Sequence, residues 1–223
     1  RRGLRETERF ASIRERRTGL FAIWRTTHRR TMLRLAVLWF LTYGCTQTAI
    51  TFWKEFALSE RGLTSAQAGA SISLAALFAM PLVFASGKLL DLVGRRRAAT
   101  IIFSIASVGT LGSYTAGTRV ALTLFLMLGI VGVSSVLPIL NAYNAELFPT
   151  ELRGNAFAWS NNLLGRFGYV LAPVLVGNVA ASYGWGQAVA STALLPILAL
   201  LCLLRWMPET RALSLEETSK ALG

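Results

Sequence analysis

Arg166 is the residue whose position most needs explaining. It lies about ten residues into an apolar run, so at about 1.5 Å per residue it sits roughly 15 Å deep, near the middle of a bilayer. An arginine at that depth costs at least about 3 kcal/mol on insertion scales, so it should face a cavity and meet a counter-charge. The acids of this chain, Glu55, Glu60, Asp91, Glu146, Glu151 and those toward the C-terminus, all fall at or beyond the ends of apolar runs. The counter-charge must then come from another part of the protein or from a bound anion. A guanidinium presents a planar fork that suits a carboxylate. Asn162 and Tyr169 fall one helical turn to either side of Arg166, placed to finish its hydrogen bonding or to touch a ligand. The alternative is an arginine held structurally by an acid elsewhere.

Other polar positions inside apolar runs are few. Tyr43 and Gln47 share a face at i and i+4, with Thr51 beyond them, and read as a stripe toward a cavity or as interhelical hydrogen bonding. Ser134, Ser135, Pro138 and Asn141 make a second set, in which Pro138 frees a backbone carbonyl. No paired acids, His cluster or nucleophile-base pair stands at the ends of the runs, so no catalytic residues are assigned and an enzyme is not expected. Cys45 and Cys202 each lie inside an apolar stretch and read as packing residues, giving no metal site, disulfide framework or cofactor. His28 lies outside the runs and is not assigned a proton-coupling role.

The elements that must position these residues follow from composition. Of 223 residues, 53% are hydrophobic and 15% charged, which places the chain in the membrane class. Six stretches, about 32–53, 66–87, 98–117, 120–141, 156–178 and 186–206, are each long enough to cross a hydrocarbon core of about 30 Å. Apolar runs without alternation exclude a barrel, because lipid offers backbone groups no partners and a helix satisfies its own. The expected architecture is an all-α membrane protein: a basic linker over 1–30, a six-helix transmembrane bundle over 31–207 and a tail over 208–223.

The net charge of +12 is concentrated before the first run, where Arg1, Arg2, Arg5, Arg9, Arg14, Arg16, Arg17, Arg25, Arg29 and Arg30 fall. A nucleic-acid partner would need a folded soluble domain, which thirty linker residues do not supply. Lys88 with Arg95–Arg97, then Arg153, then Arg205, Arg211 and Lys220 group with that linker, while Lys54, Arg61 and Arg119 fall on the opposite side. The positive-inside rule puts both ends of this chain in the cytoplasm. Leu20, Phe21, Ile23 and Trp24 among the arginines suit a short interfacial helix, or else a solvated topogenic linker. The chain begins without Met and without a signal-peptide pattern, and reads as a piece of a longer protein.

Three motifs then agree in order. Gly87-Lys-Leu-Leu-Asp91-Leu-Val-Gly94-Arg95-Arg96-Arg97 would let helices approach at Gly87, turn at Gly94 and anchor at the inner leaflet. It resembles the Gly-x-x-x-Asp-x-x-Gly-Arg-Arg signature of the major facilitator superfamily. Glu146-Leu-Phe-Pro-Thr-Glu-Leu-Arg153-Gly154 is similar to that superfamily's Glu-x-x-Pro-x-x-x-Arg-Gly element. Pro208-Glu209-Thr210-Arg211, with Leu215-Glu216-Glu217, is similar to the sequence after the last helix of sugar-porter-like members, and marks this as the second half. The resemblance implies that Asp91, Arg95, Glu146, Arg153 and Glu209 form a cytoplasmic charge network that closes when the carrier faces outward. Exposed pairs of that kind would each contribute only about 0–1 kcal/mol, as befits a latch; plain topogenic charge is the other reading.

Arg166-Phe-Gly168-Tyr169-Val-Leu-Ala-Pro173 resembles the Arg-x-Gly-x-x-x-x-Pro segment in the eleventh helix of aromatic-acid/proton symporters and organic-anion carriers. Related cation carriers place an Asp there, which favours an anion. Tyr-Gly-Cys-Thr-Gln-Thr at 43–48 departs from the sugar porters' paired-Gln motif, and their Gly-Pro-x-x-Trp segment is missing, so a sugar is doubtful. The resemblance thus implies one half of a secondary active transporter that carries a small organic anion with protons by alternating access. It implies a multi-pass protein of the plasma membrane, or of the inner membrane in a bacterium. Its partners would be the anionic substrate, protons, the lipid bilayer and an N-terminal six-helix half, with Arg166, Asn162, Tyr169, Gln47, Tyr43 and Asn141 toward the substrate. A carrier of sugars or other metabolites, or a non-transporting membrane scaffold, are the alternatives. The cavity face bearing Arg166, Asn162 and Gln47 is expected to make the isolated half unstable.

Overall fold

A computed structural model describes residues 19–211. The outer basic linker residues, Leu215-Glu216-Glu217 and Lys220 lie outside the described residues. After a 3₁₀ turn at Ala22–Arg25 come α1 (Arg29–Thr51), α2 (Trp53–Ser59), α3 (Ser65–Val93), α4 (Arg95–Thr115), α5 (Arg119–Glu146) and α6 (Thr150–Phe157). A π-helical stretch over Ala158–Gly165 then leads into α7 (Arg166–Thr192) and α8 (Leu194–Trp206).

Sequence chemistry sets the boundaries. Thr64 and Gln67 close a reciprocal capping box at the start of α3, each accepting the other's backbone N–H. Thr118 accepts from the Ala121 N–H at the start of α5. Between α3 and α4 the chain turns at a single residue, Gly94, with φ 89° and ψ 164°. The expected loop over 87–97 is therefore helix on both sides of one break, because Leu89, Leu90, Leu92 and Val93 continue the apolar pattern past Gly87.

Four continuous helical runs are long and apolar enough to span a membrane, and a fifth is formed by α1 and α2, which meet at a 43° bend. The run from Thr150 to Trp206 has 57 residues, far more than the roughly 20 that one crossing needs. Its backbone leaves the helical region at Gly184, with φ 84° and ψ 161°, and so divides in two. Leu77, Phe78, Met80 and Phe84 on α3, and Val170, Val174 and Leu175 on α7, are all exposed. Apolar faces of that extent suit lipid or another protein surface.

Small residues bring backbones together. A Cβ on Gly109 would lie 2.2 Å from the Gly129 nitrogen, and one on Gly132 2.3 Å from the Ala106 Cα, so α4 and α5 cross backbone to backbone. A Cβ on Gly168 would meet the Phe40 carbonyl oxygen at 2.2 Å, and one on Gly165 the Trp39 Cβ at 2.5 Å, which seats the α7 region on α1. At Gly87, in contrast, a Cβ would meet nothing within 4 Å, so the close approach expected there does not occur among the described residues. Cys45 is buried 3.5 Å from the Thr110 hydroxyl, while the Thr48 hydroxyl lies 2.9 Å from the Gly44 carbonyl and 3.3 Å from the Thr192 hydroxyl, with one proton to give to either. These bonds join α1, α4 and α7 through the core.

Gly168→Ala should destabilise the protein by about 1–3 kcal/mol, the usual cost of overpacking. Gly177→Ala, where a Cβ meets nothing within 4 Å, should stay within about 0.5 kcal/mol of wild type. Unfolding midpoints of the full-length protein in detergent check this; equal shifts for the two variants would refute the contact.

Candidate functional site

Arg166 opens α7 at the end of the π-helical stretch, and its own backbone N–H bonds to the Asn161 carbonyl, five residues back. The wider π turn changes which residue shares a face with Arg166. Helical spacing of four points to Asn162, but in the structure Asn162 is exposed, whereas Asn161 is buried and accepts a 2.7 Å hydrogen bond from the Tyr43 hydroxyl. The contact with Tyr43 falls to Asn161, and Asn162 is exposed as Arg166 is. π turns of this kind recur at functional sites.

Around that bond the aromatic rings are ordered. Tyr43 stacks on Trp39 at 5.3 Å and 26°, and meets Tyr169 edge to face at 5.9 Å and 87°. The Arg166 guanidinium is close enough to the Tyr43 hydroxyl to interact with it. Tyr43, Arg166 and Tyr169 thus come together across α1 and α7, and Arg166 and Tyr169 are exposed. Gln47, half-buried, lies one turn further along α1. Asn141 is not part of this group. It stands five residues before the end of α5 and borders a groove of about 490 Å³ with Asn144, Thr150, Arg153 and Phe157.

The charged motifs meet at the end of the bundle where α3 stops. Arg95 donates to one oxygen of Glu146 from Nε at 3.1 Å and from its terminal nitrogen at 2.8 Å. The side chains are 18% and 14% exposed, so this pair is not the exposed contact that the motifs implied. Removing one partner from a pair so buried leaves the other unsatisfied, at about 1–3 kcal/mol. Asp91 lies 3.6 Å from Arg95 with its side chain 77% exposed. The Thr210 hydroxyl donates to the second oxygen of Glu146. Arg153 stays apart: it donates to the Phe148 carbonyl at 3.5 Å, and its buried Nε has no partner among the described residues.

Glu209 does something the sequence did not reveal. Its carboxylate accepts from the Arg95 and Arg96 backbone N–H groups at 2.8 and 3.0 Å, capping α4 from the segment that follows α8. A Cβ on Gly94 would fall 2.9 Å from that carboxylate, so glycine there answers both the positive φ and the space. Arg96 completes the tie by donating to the Met207 and Leu204 carbonyls at the end of α8, at 2.9 and 2.7 Å. All these contacts fall within the one bundle.

The sequence matches the profile of the Major Facilitator Superfamily over residues 2–169. The chain belongs to that superfamily. It is a superfamily of membrane transporters and not of enzymes. The chain is 28% identical over 204 residues to NiaP of Bacillus subtilis (strain 168), provisionally named a niacin/nicotinamide transporter, covering 87% of this chain and 48% of that protein. It is 27% identical over 202 residues to synaptic vesicle glycoprotein 2B of Rattus norvegicus, covering 83% and 29%. It is 29% identical over 123 residues to the inner membrane metabolite transport protein YhjE of Escherichia coli (strain K12), covering 52% and 28%. The chain therefore spans about half or less of the length of these relatives.

This superfamily chain repeats the Gly94 device at its opposite end. Glu60, just beyond α2, accepts from the Trp185 and Gly186 backbone N–H groups, the latter at 3.1 Å, where the helix restarts after Gly184. Phe52 stacks on Trp185 at 4.7 Å beside it. Sequence reading passed over Glu60, Asn161 and Thr210; Gly184-Trp-Gly186 was the one available signal.

Burial alone would raise the Glu209 pKa, but backbone N–H groups of Arg96, Arg95, Arg211 and Thr210 outweigh it and hold the group below its ordinary 4.5. A depressed folded pKa contributes stability above the unfolded value and loses it as pH falls through the folded one. Glu209→Gln should therefore lower the unfolding midpoint near neutral pH, and the gap from wild type should close as pH falls below 4.5. A gap independent of pH would show that the carboxylate charge does not matter.

Proposed function

We propose that this chain is the second six-helix half of a secondary transporter that carries a small organic anion, an aromatic carboxylate by preference, together with protons. The observation that carries this reading is Arg166, exposed beside Tyr43 and Tyr169. A guanidinium would hold the carboxylate in a bidentate pair, while the two rings would flank an aromatic body. The name of NiaP, a niacin/nicotinamide transporter, supports a small aromatic substrate, of which niacin is a carboxylate and nicotinamide a neutral amide.

The division of the last helical run at Gly184 supports six crossings, and the span of about half of NiaP supports a second bundle facing this one. The ends of the bundle support the orientation: Arg25, Arg29, Arg95, Arg96 and Arg153 gather at the end proposed to be cytoplasmic. Asp91, the network member left most exposed, is the candidate to meet a cation of the other half in a gate, with Gly87 as a bare place for that half to approach. The proton-accepting group is assigned to the other half.

The test is uptake of labelled nicotinate, benzoate, nicotinamide and a hexose into vesicles holding the full-length protein. Arg166→Ala and Arg166→Lys should each lower affinity for the carboxylates roughly tenfold to a hundredfold, the worth of a charge-assisted bidentate contact. Asn161→Ala should weaken it less. Preferred transport of nicotinamide or hexose, or normal nicotinate uptake by Arg166→Ala, would make Arg166 structural and the anion reading wrong.

A further inference from the structure

The segment before α1 is fastened to the bundle. The Trp159 indole donates to the Leu20 carbonyl at 2.8 Å, and the Asn155 amide donates to the Gly19 carbonyl at 3.1 Å. Phe21 and Trp24 lie against the Trp159 ring at 5.3 and 5.1 Å, and Ile23 is fully buried. Anchored in this way, residues 19–30 form a strap with two distinct outward surfaces.

The first is apolar: Leu20 and Phe21 are 64% and 61% exposed beside the buried Ile23. The second is a concavity of about 460 Å³ lined by Trp24, Arg25, Thr26, Thr27, Arg29 and Arg30. No acid lines it among the described residues, and α1 starts there with no acid in its first turn and no side-chain cap. Three arginines lining a concavity at a helix start that has no side-chain cap make a favourable field for a phosphate.

We propose that this strap binds an anionic phospholipid of the adjoining leaflet, with the headgroup phosphate held by Arg25, Arg29 and Arg30 and the acyl chains lying along Leu20 and Phe21. The pairing of charge with flanking exposed apolar side chains favours a lipid over a soluble phosphate or nucleic acid, neither of which would cover Leu20 and Phe21. Because Trp159 belongs to the π-helical stretch that ends at Arg166, the lipid would brace the element that carries the candidate substrate site. The inference rests on the chain being embedded in a membrane, and not on the identity of the substrate.

The experiment is native mass spectrometry of the full-length protein titrated with dioleoyl phosphatidylglycerol, with dioleoyl phosphatidylcholine and glycerol 3-phosphate as comparisons. At roughly fivefold per arginine, the triple variant Arg25→Gln, Arg29→Gln, Arg30→Gln should bind phosphatidylglycerol about a hundredfold more weakly, with phosphatidylcholine unchanged. The corresponding triple Lys variant should retain binding, since a headgroup reads charge. If the triple Gln variant fails to fold, Arg25→Gln alone should still show the roughly fivefold loss. Unchanged phosphatidylglycerol binding in whichever variant folds, equal loss for phosphatidylcholine, or displacement of the lipid by glycerol 3-phosphate would overturn the proposal. Uptake assays are not involved, so an error in the anion reading would leave this result standing.

Discussion

The arrangement around Arg166 depends on how near α1 and α7 can come. Gly168 lies against the Phe40 carbonyl and Gly165 against Trp39, so the two backbones meet without side chains between them. That distance lets the Tyr43 hydroxyl reach Asn161 and sets the Tyr43 ring against Tyr169. In hydrocarbon, helices gain little by hiding apolar side chains from one another, so close packing and a few interhelical hydrogen bonds must hold them. Here both kinds of contact converge on the same two helices.

A second constraint is that the backbone N–H groups freed where a helix restarts need partners. The protein meets it in the same way at both ends of the bundle. Gly94 and Gly184 share nearly the same backbone angles, φ 89° and 84° with ψ 164° and 161°, and each opens a new helix. In each case a carboxylate from a different segment, Glu209 or Glu60, accepts the first exposed N–H groups. The caps therefore also act as ties: Glu209 binds the segment after α8 to α4, and Glu60 binds the end of α2 to the restart at Trp185.

Much of this was legible in the residues. Run length and the lack of alternation pointed to the helical membrane class, and the superfamily match, which covers residues 2–169, agrees with the motifs around Asp91 and Glu146. Arg95 and Glu146 were expected in one network and are paired. The bond of Asn161 to Tyr43 is not legible from regular helical spacing, because that stretch winds as a π helix. Asn141 was grouped with Arg166 because span membership gives depth only coarsely, and its groove lies close to the end of α5. The burial of the Arg95–Glu146 pair is not legible in the motifs, because their spacing carries no information on what packs over it.

By itself, the sequence determined the elements and their chemistry: long apolar stretches must become self-bonded helices in lipid, and a lone arginine within one must find a counter-charge. These follow from composition and local order, which solvent and backbone hydrogen bonding act on directly. Only the tertiary structure decided which asparagine reaches Tyr43, which acids cap which helix, and that Trp159 holds the strap before α1. Those outcomes depend on contacts between residues more than a hundred positions apart. They are set by the close approach of backbones and by one π-helical stretch, and neither has a signature in residue type alone.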